Sequence, residues 1–275
     1  MNSAKIGVCA LCQQYRELRN SHFLPKALYR LVRDHAHKNP HPFLLSANRR
    51  EQTSKQATHH LLCDECEKRF DRNGEDWVLK HCYRGRGVFR LRKLLEQSAQ
   101  IESGSEALVY SASAVPGIDT GQLVYFCTSV FWRASLRAWT LSDQKYEALS
   151  LGNAYQEEMR KYLLSEASFP RNAVVTIILS HLKTPVLAYN FPDSLRLESC
   201  HCHRLHIPGV TFMLMLGKQA PQDFGQICVF RSPVRPIYVS KHGDALVQTA
   251  LLALIGKIKT PRSNDSVLEG YESLV

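Results

Sequence analysis

The reading of this chain turns on two short stretches, Cys9-Ala-Leu-Cys12 and, 50 residues further on, Cys63-Asp64-Glu65-Cys66. A Cys-x-x-Cys pair lets two thiolates reach one ion from a single tight turn. Two such pairs supply four sulfurs in a tetrahedron with no position left for water. The spacing therefore predicts a closed, structural Zn2+ site made by Cys9, Cys12, Cys63 and Cys66. Such a site pins an N-terminal knuckle against the start of a helix near Asp64. Cys82, Cys127 and Cys228 read instead as core positions. Cys200-His201-Cys202-His203, with His206 close by, offers ligand types for a second ion. Neighbours in an extended segment face opposite ways, however, so these residues do not naturally converge.

Composition is consistent with a metal role for the paired thiols. Nine cysteines in 275 residues are an odd number in a long chain, unlike a small disulfide scaffold. Residues 1–7 carry no long apolar segment, so the expected compartment is the reducing cytoplasm. The richest apolar run, residues 122–139, is broken by Arg133 and Arg137, and no membrane span is expected. Charge is uneven. Residues 1–98 hold 19 Lys and Arg against 10 Asp and Glu, whereas the remainder holds 16 against 15. A basic segment of this kind attracts polyanions, and nucleic acid is the expected partner.

The order of patterns is α+β. A helix is expected from Pro25 to Ala36, where Pro25 suits a first turn and Ala27, Leu28, Leu31 and Val32 share a face. Residues 37–58 read as a polar, basic connector holding a short strand at 43–45. A second helix starts near Asp64 and runs past Trp77, and residues 84–97 continue as a basic helix. The small, polar stretch 98–106 marks a boundary between a zinc-binding unit, 1–98, and an α+β unit, 99–275. In the second unit, strands are expected at 107–113, 173–180, 185–190, 210–216 and 227–229. Helices are expected at 124–141, 155–164 and 242–258.

A knuckle pair followed by a helix-starting pair is the layout of a treble-clef zinc finger. With Ser21-His22-Phe23-Leu24-Pro25 after the first pair and Leu61-Leu62-Cys63-Asp64-Glu65-Cys66-Glu67 at the second, residues 6–80 resemble the zinc-binding form of the HNH endonuclease family. The resemblance implies a ββα-like fold, phosphodiester hydrolysis of DNA, and a catalytic Mg2+ or Mn2+ beside the structural zinc. It makes His22 the general base, since a neutral imidazole near pH 7 can take a proton from the attacking water. Three family positions are filled differently. Ser21 replaces the acidic ligand, Thr58 the asparagine, and Glu67 the final histidine. Glu67 remains a hard oxygen ligand suited to Mg2+. Cys63, Glu67, Asp71 and Glu75 recur every four residues and lie on one helical face, so Glu75 joins Glu67 as a candidate. His59 or His60 is a candidate for the missing asparagine or for a phosphate contact.

Basic side chains around this site would grip the backbone: Lys26, Arg30 and Arg33 on the first helix, Arg49, Arg50 and Lys55 on the connector, and Arg84, Arg86, Arg90, Arg92 and Lys93 beyond the second helix. The same features also fit a catalytically inactive treble-clef module that binds nucleic acid, or an adaptor in which zinc only builds the fold. The C-terminal unit reads as a sensor, a dimerisation unit or a recognition domain, giving a homo-oligomer or a protein partner, as in bacterial or phage-associated HNH-like proteins with an added domain. The discriminating geometry is whether Glu67 faces His22 across an open pocket or is engaged by Arg or Lys.

Overall fold

The computed structural model describes residues 5–33, 41–46, 49–98, 100–183 and 185–242. The helix expected at 242–258 lies outside them beyond His242. The chain is mixed α+β, as its patterning implies.

Strands β1 (Lys5–Val8) and β2 (Tyr15–His22) form an antiparallel hairpin around the first cysteine pair. Gln13 closes the knuckle with φ 58, a left-handed turn. Helix α1 (Lys26–Leu31) follows Pro25, then a small hairpin, β3 (Phe43–Ser46) and β4 (Arg49–Gln52). Strand β5 (Thr58–Cys63) returns to pair with β2. Leu18 and Ser21 are both buried, which a strict two-residue alternation forbids. A register shift between Arg19 and Asn20 supplies the extra residue that turns both inward.

Helix α2 (Asp64–Phe70) leads into a π-helical turn, Asp71–Glu75, and α3 (Asp76–His81). The turn places Gly74 against α5 (Thr120–Leu136), where an added Cβ would stand 2.8 Å from the Phe126 nitrogen. Gly74 thus lets two backbones meet. The basic helix expected over 84–97 is shorter than that. Gly85, Arg86 and Gly87 all have positive φ, so residues 83–89 form a tight loop and only α4 (Arg90–Leu95) is helical.

Beyond α4, β6 (Gln100–Ser103), β7 (Ala107–Ser111), β10 (Ala173–Ser180), β11 (Asp193–Arg196), β12 (His201–Ile207), β13 (Val210–Leu216) and β14 (Pro236–Ser240) build one sheet in the order β11-β12-β13-β10-β14-β7-β6. Only β10 and β14 run parallel. A short hairpin, β8 (Trp139–Leu141) with β9 (Gln144–Tyr146), precedes helix α6 (Asn153–Leu163), and α7 (Ala220–Phe224) lies late in the chain. Two expected strands are corrected. Residues 185–190 are irregular, because the Asn190 side chain takes the His206 N–H at 2.6 Å in place of a ladder bond. Residues 225–227 form a 3-10 turn, so Cys228 is buried without being in a strand. Helix α5 ends at Leu136, and Trp139 begins the hairpin.

Helix α5 is the centre of the molecule. Fourteen of its 17 residues are buried, which requires an apolar surface all round. Its Phe126 meets Phe212 of the sheet, while Trp132 and Tyr125 meet Phe70 of α2. Phe23 stacks on Phe191 at 4.6 Å. Buried residues on both sides of position 98 therefore belong to one continuous apolar cluster, and the polar stretch 98–106 contributes β6 to the sheet. Among the described residues, no helix is long and apolar enough to cross a membrane.

Two buried histidines on β12 give the fold an acid-sensitive spot. His203 is hydrogen-bonded to Ser194 at 2.7 Å and His206 to Thr211 at 3.0 Å, both through Nδ1. Burial lowers each to about 4. A base whose folded pKa lies below its unfolded value stabilises the fold above about pH 6.5 and loses that contribution as pH falls toward 4. By pH 5 each histidine is expected to cost about 2 kcal/mol relative to pH 7, at about 1.4 kcal/mol per pH unit. Urea unfolding at the two pH values checks this: a His203→Asn, His206→Asn double variant should lose much less stability on acidification than the parent chain. Equal losses would contradict it.

Candidate metal centre

The four paired cysteines converge. Their sulfurs all lie within 4.8 Å of one another, and Cys12 Sγ stands 3.9 Å from Cys63 Sγ. With Zn–S bonds of about 2.3 Å, sulfurs of a tetrahedral site stand about 3.8 Å apart, so the cage has the size for zinc. The first pair sits on the knuckle between β1 and β2. In the second, Cys63 precedes the first residue of α2 and Cys66 lies in its first turn. Helix N-terminal N–H groups favour thiolates there. The Cys63 N–H points to Cys9 Sγ at 3.3 Å. A thiol hydrogen bond from Cys66, together with backbone N–H groups, lowers Cys9 to about 4. Cys9 is thus the sulfur prepared as an anion, while burial pushes the Cys63 thiol up and the hydrogen bond to Cys9, with burial, pushes the Cys66 thiol up. Cys9, Cys63 and Cys66 are buried, and four sulfurs complete the coordination, so a metal such as zinc held here is structural. It is the only group of three or more ligand-type residues gathered this way among the described residues.

The residues proposed for chemistry gather around a cation that belongs to neither cysteine pair. Arg133 comes from α5, and its side chain is 2% exposed. Its Nη1 donates to the carbonyl oxygen of His22 at 2.9 Å, and its Nη2 to Glu75 Oε1 at 2.7 Å. It also donates to the carbonyl and hydroxyl of Ser129, both at 3.3 Å. Glu75 is buried, and desolvation raises it to about 6 against the pull of Arg133. Glu67, one turn before Asp71, is raised mainly by desolvation and eased by a hydrogen bond from Ser21. Its Oε1 has no further partner among the described residues. Ser21, which stands at the family's acidic position, is buried and accepts the Leu62 N–H at 3.1 Å. It ties β2 to the end of β5.

His22 ends β2 opposite Thr58. Desolvation lowers its pKa, opposed by a hydrogen bond with Gln56 and aided by Lys26 and Arg133, which favours the neutral imidazole. His59 and His60 lie on β5 opposite Ser21 and Asn20. His59 contacts Arg137, which leaves His60 as the freer of the two neighbours. The structure therefore brings His22, Glu67 and Glu75 around Arg133, and places His60 on the adjoining strand. Sequence patterning did not single out Arg133 as a site residue. The signal was present: Arg133 is the one charged residue of a helix whose other residues are apolar or uncharged, and a buried charge needs a partner.

The basic candidates lie on several elements of this unit. Lys26 and Arg30 are exposed on α1, and Arg84, Arg86 and Arg90 are exposed at and beyond the tight loop. Gly85 packs within 3.4 Å of Leu31 for an added Cβ, so the loop lies beside the end of α1. Arg49 and Arg50 belong to β4. Arg92 is not free, since it binds the His181 carbonyl and Glu96.

No family model, curated protein or solved structure matches this chain.

Proposed function

We propose that this chain is a nucleic-acid-binding protein built on a zinc-held, treble-clef frame of the HNH type, with Glu75 of the acidic helix face committed to the scaffold. The observation that carries this reading is the engagement of Glu75 by Arg133. A buried guanidinium sits between Glu75 and the backbone of His22, where a divalent ion would otherwise bridge the helix and the end of β2. A cation already fixed there opposes a second one. The basic surface of α1 and the 83–89 loop remains exposed for phosphates, which position a backbone without reading sequence.

Fluorescence anisotropy with duplex and single-stranded DNA and RNA tests the reading across a salt series. Binding should weaken linearly with log salt. Arg84→Ala with Arg86→Ala should make the slope shallower by about one for each phosphate that the protein no longer neutralises. Affinity that ignores salt would leave the adaptor reading instead.

A second reading, a metal-dependent endonuclease acting on DNA with His22 as base and Mg2+ or Mn2+ on Glu67, is favoured by the neutral His22 and the unpartnered Glu67 oxygen. Plasmid nicking that requires Mg2+ or Mn2+, stops with EDTA and vanishes in His22→Ala would put this reading first.

A further inference from the structure

On the other side of α2 from Arg133 lies a second set of guanidinium groups. A cavity of 320 Å³ opens beside the cysteine cluster, lined by Gln14, Arg16, Glu65, Arg69, Arg72 and Leu164 among others. A second cavity of 430 Å³ shares Arg72 and is walled by Asn73, Asp119, Gln122, Tyr125 and Tyr162. The first holds three guanidiniums against one carboxylate and two sulfurs of the cysteine cluster, Cys12 and Cys66. That carboxylate, Glu65, is taken by Arg16 at 2.7 Å. Arg16 is also drawn by the thiol groups of Cys63 and Cys12, so its charge answers the cysteine cluster.

Arg69 and Arg72 are different. Arg69 Nη1 donates to the Leu164 carbonyl at 3.1 Å, and Arg72 Nε to the Lys68 carbonyl at 3.2 Å. Among the described residues, neither forms an ion pair with a carboxylate. A guanidinium offers five donors, so each keeps several for a ligand. They stand three apart in sequence, where the helix passes into its π turn, and so project to the same side. Paired planar forks suit the oxygens of a phosphate. The space exceeds what an ion needs, and cavities of roughly 300–1,000 Å³ hold small molecules. The neighbouring wall offers tyrosine rings and two side-chain amides, Asn73 and Gln122, surfaces that suit a base and sugar. Asp119 stands at that far wall and would repel a second phosphate.

We infer that these two neighbouring cavities, which share Arg72, bind one nucleotide unit bearing a single phosphate, with the phosphate on Arg69 and Arg72 and the nucleoside beside Tyr162. The unit comes either as a free nucleoside monophosphate or as a 5′-phosphorylated strand end. The strand source rests on the nucleic-acid reading above, and the free source does not.

Calorimetric titration of the full, zinc-loaded chain separates the outcomes. The probes are AMP, ATP, adenosine, inorganic phosphate, and a short single strand with and without its 5′ phosphate. The variants are Arg72→Glu and Arg72→Lys, with Arg196→Glu, on an exposed strand that lines neither cavity, as the control, each checked for an unchanged melting curve. Arg69 is left intact because it also holds Leu164. AMP is expected to bind more tightly than ATP, adenosine or phosphate. Arg72→Glu should weaken it at least about tenfold, the size of one missing charge-assisted hydrogen bond, while Arg196→Glu leaves it unchanged. Preference for the 5′-phosphorylated strand alone, abolished in Arg72→Glu and kept in Arg196→Glu, supports the strand source. Strand binding weakened no more by Arg72→Glu than by the Arg84→Ala, Arg86→Ala pair, with no mononucleotide bound, overturns the site and leaves the nucleic-acid reading standing. AMP binding without salt-dependent strand binding does the reverse. Equal affinity for AMP and phosphate, or indifference to Arg72→Glu, overturns the site outright.

Discussion

Cys66→Ser, or removal of the metal by a strong chelator, is expected to lower the melting midpoint of the chain sharply. The physical reason lies in how little else holds the knuckle and its three-stranded sheet. Its strands are short, β1 having four residues and β5 six. Ion pairs at its surface, such as Arg16–Glu65 and Lys68–Asp64, are exposed and contribute little. Leu11 is fully buried inside the knuckle between the two ligands Cys9 and Cys12, so it keeps its place only while the knuckle keeps its shape. Structural zinc contributes apparent binding free energy of about 10–16 kcal/mol at pH 7, nearly all of it folding free energy. The damage should spread further than residue 80. Arg160 of α6 donates to the Leu11 carbonyl at 2.9 Å, and Phe70 of α2 packs on Trp132 of α5. Elemental analysis of the purified chain should find about one zinc per chain, as a four-sulfur site requires. Circular dichroism melting should then show a large fall in midpoint for Cys66→Ser, and recovery when zinc is returned to the chelated parent. A Cys66→Ser protein that melts as the parent does would remove the metal from the account of stability.

What the sequence made legible follows from which signals are local. The two cysteine pairs are local and rigidly spaced, so the metal cage could be read directly, as could the helix beginning at Asp64. Strands β10 and β13 could be read because their branched runs are buried on both faces. Strand β2 could not, since Tyr15–His22 is largely polar and its inward residues are shifted by a bulge. The stretch 185–190 misled because its composition is strand-like, while a side-chain amide at Asn190 satisfies the neighbouring strand. The basic stretch 84–97 misled because arginine at position 86 adopts a left-handed backbone that composition does not announce. Strand order and the joining of both halves through α5 depend on long-range packing and leave no local trace. The same holds for the charged cluster. The four-residue spacing of Glu67, Asp71 and Glu75 was visible, but the partner of Glu75 lies 58 residues beyond it.

That distant partner makes the sharpest test of the scaffold reading. Arg133→Ala should destabilise the chain by about 3–5 kcal/mol, the usual effect of breaking a buried pair by removing one member. Glu75 would be left desolvated and unpaired, the His22 carbonyl would lose its donor, and a cavity would open beside α5. Glu75→Gln should cost less, because an amide can still accept from the guanidinium, as a protonated carboxyl does. Replacing both members with apolar residues of similar volume, Arg133→Met with Glu75→Leu, should recover most of the loss, since the desolvation of two charges is removed together with their attraction. Urea unfolding of the parent, both single variants and the double variant gives the coupling energy directly. The double variant then separates structure from chemistry. If the pair only organises the end of β2 against the helix, the refolded double variant binds nucleic acid as the parent does. If it regains stability but loses binding or cleavage, Arg133 and Glu75 act on the ligand itself, and the carboxylate face returns as part of a working site.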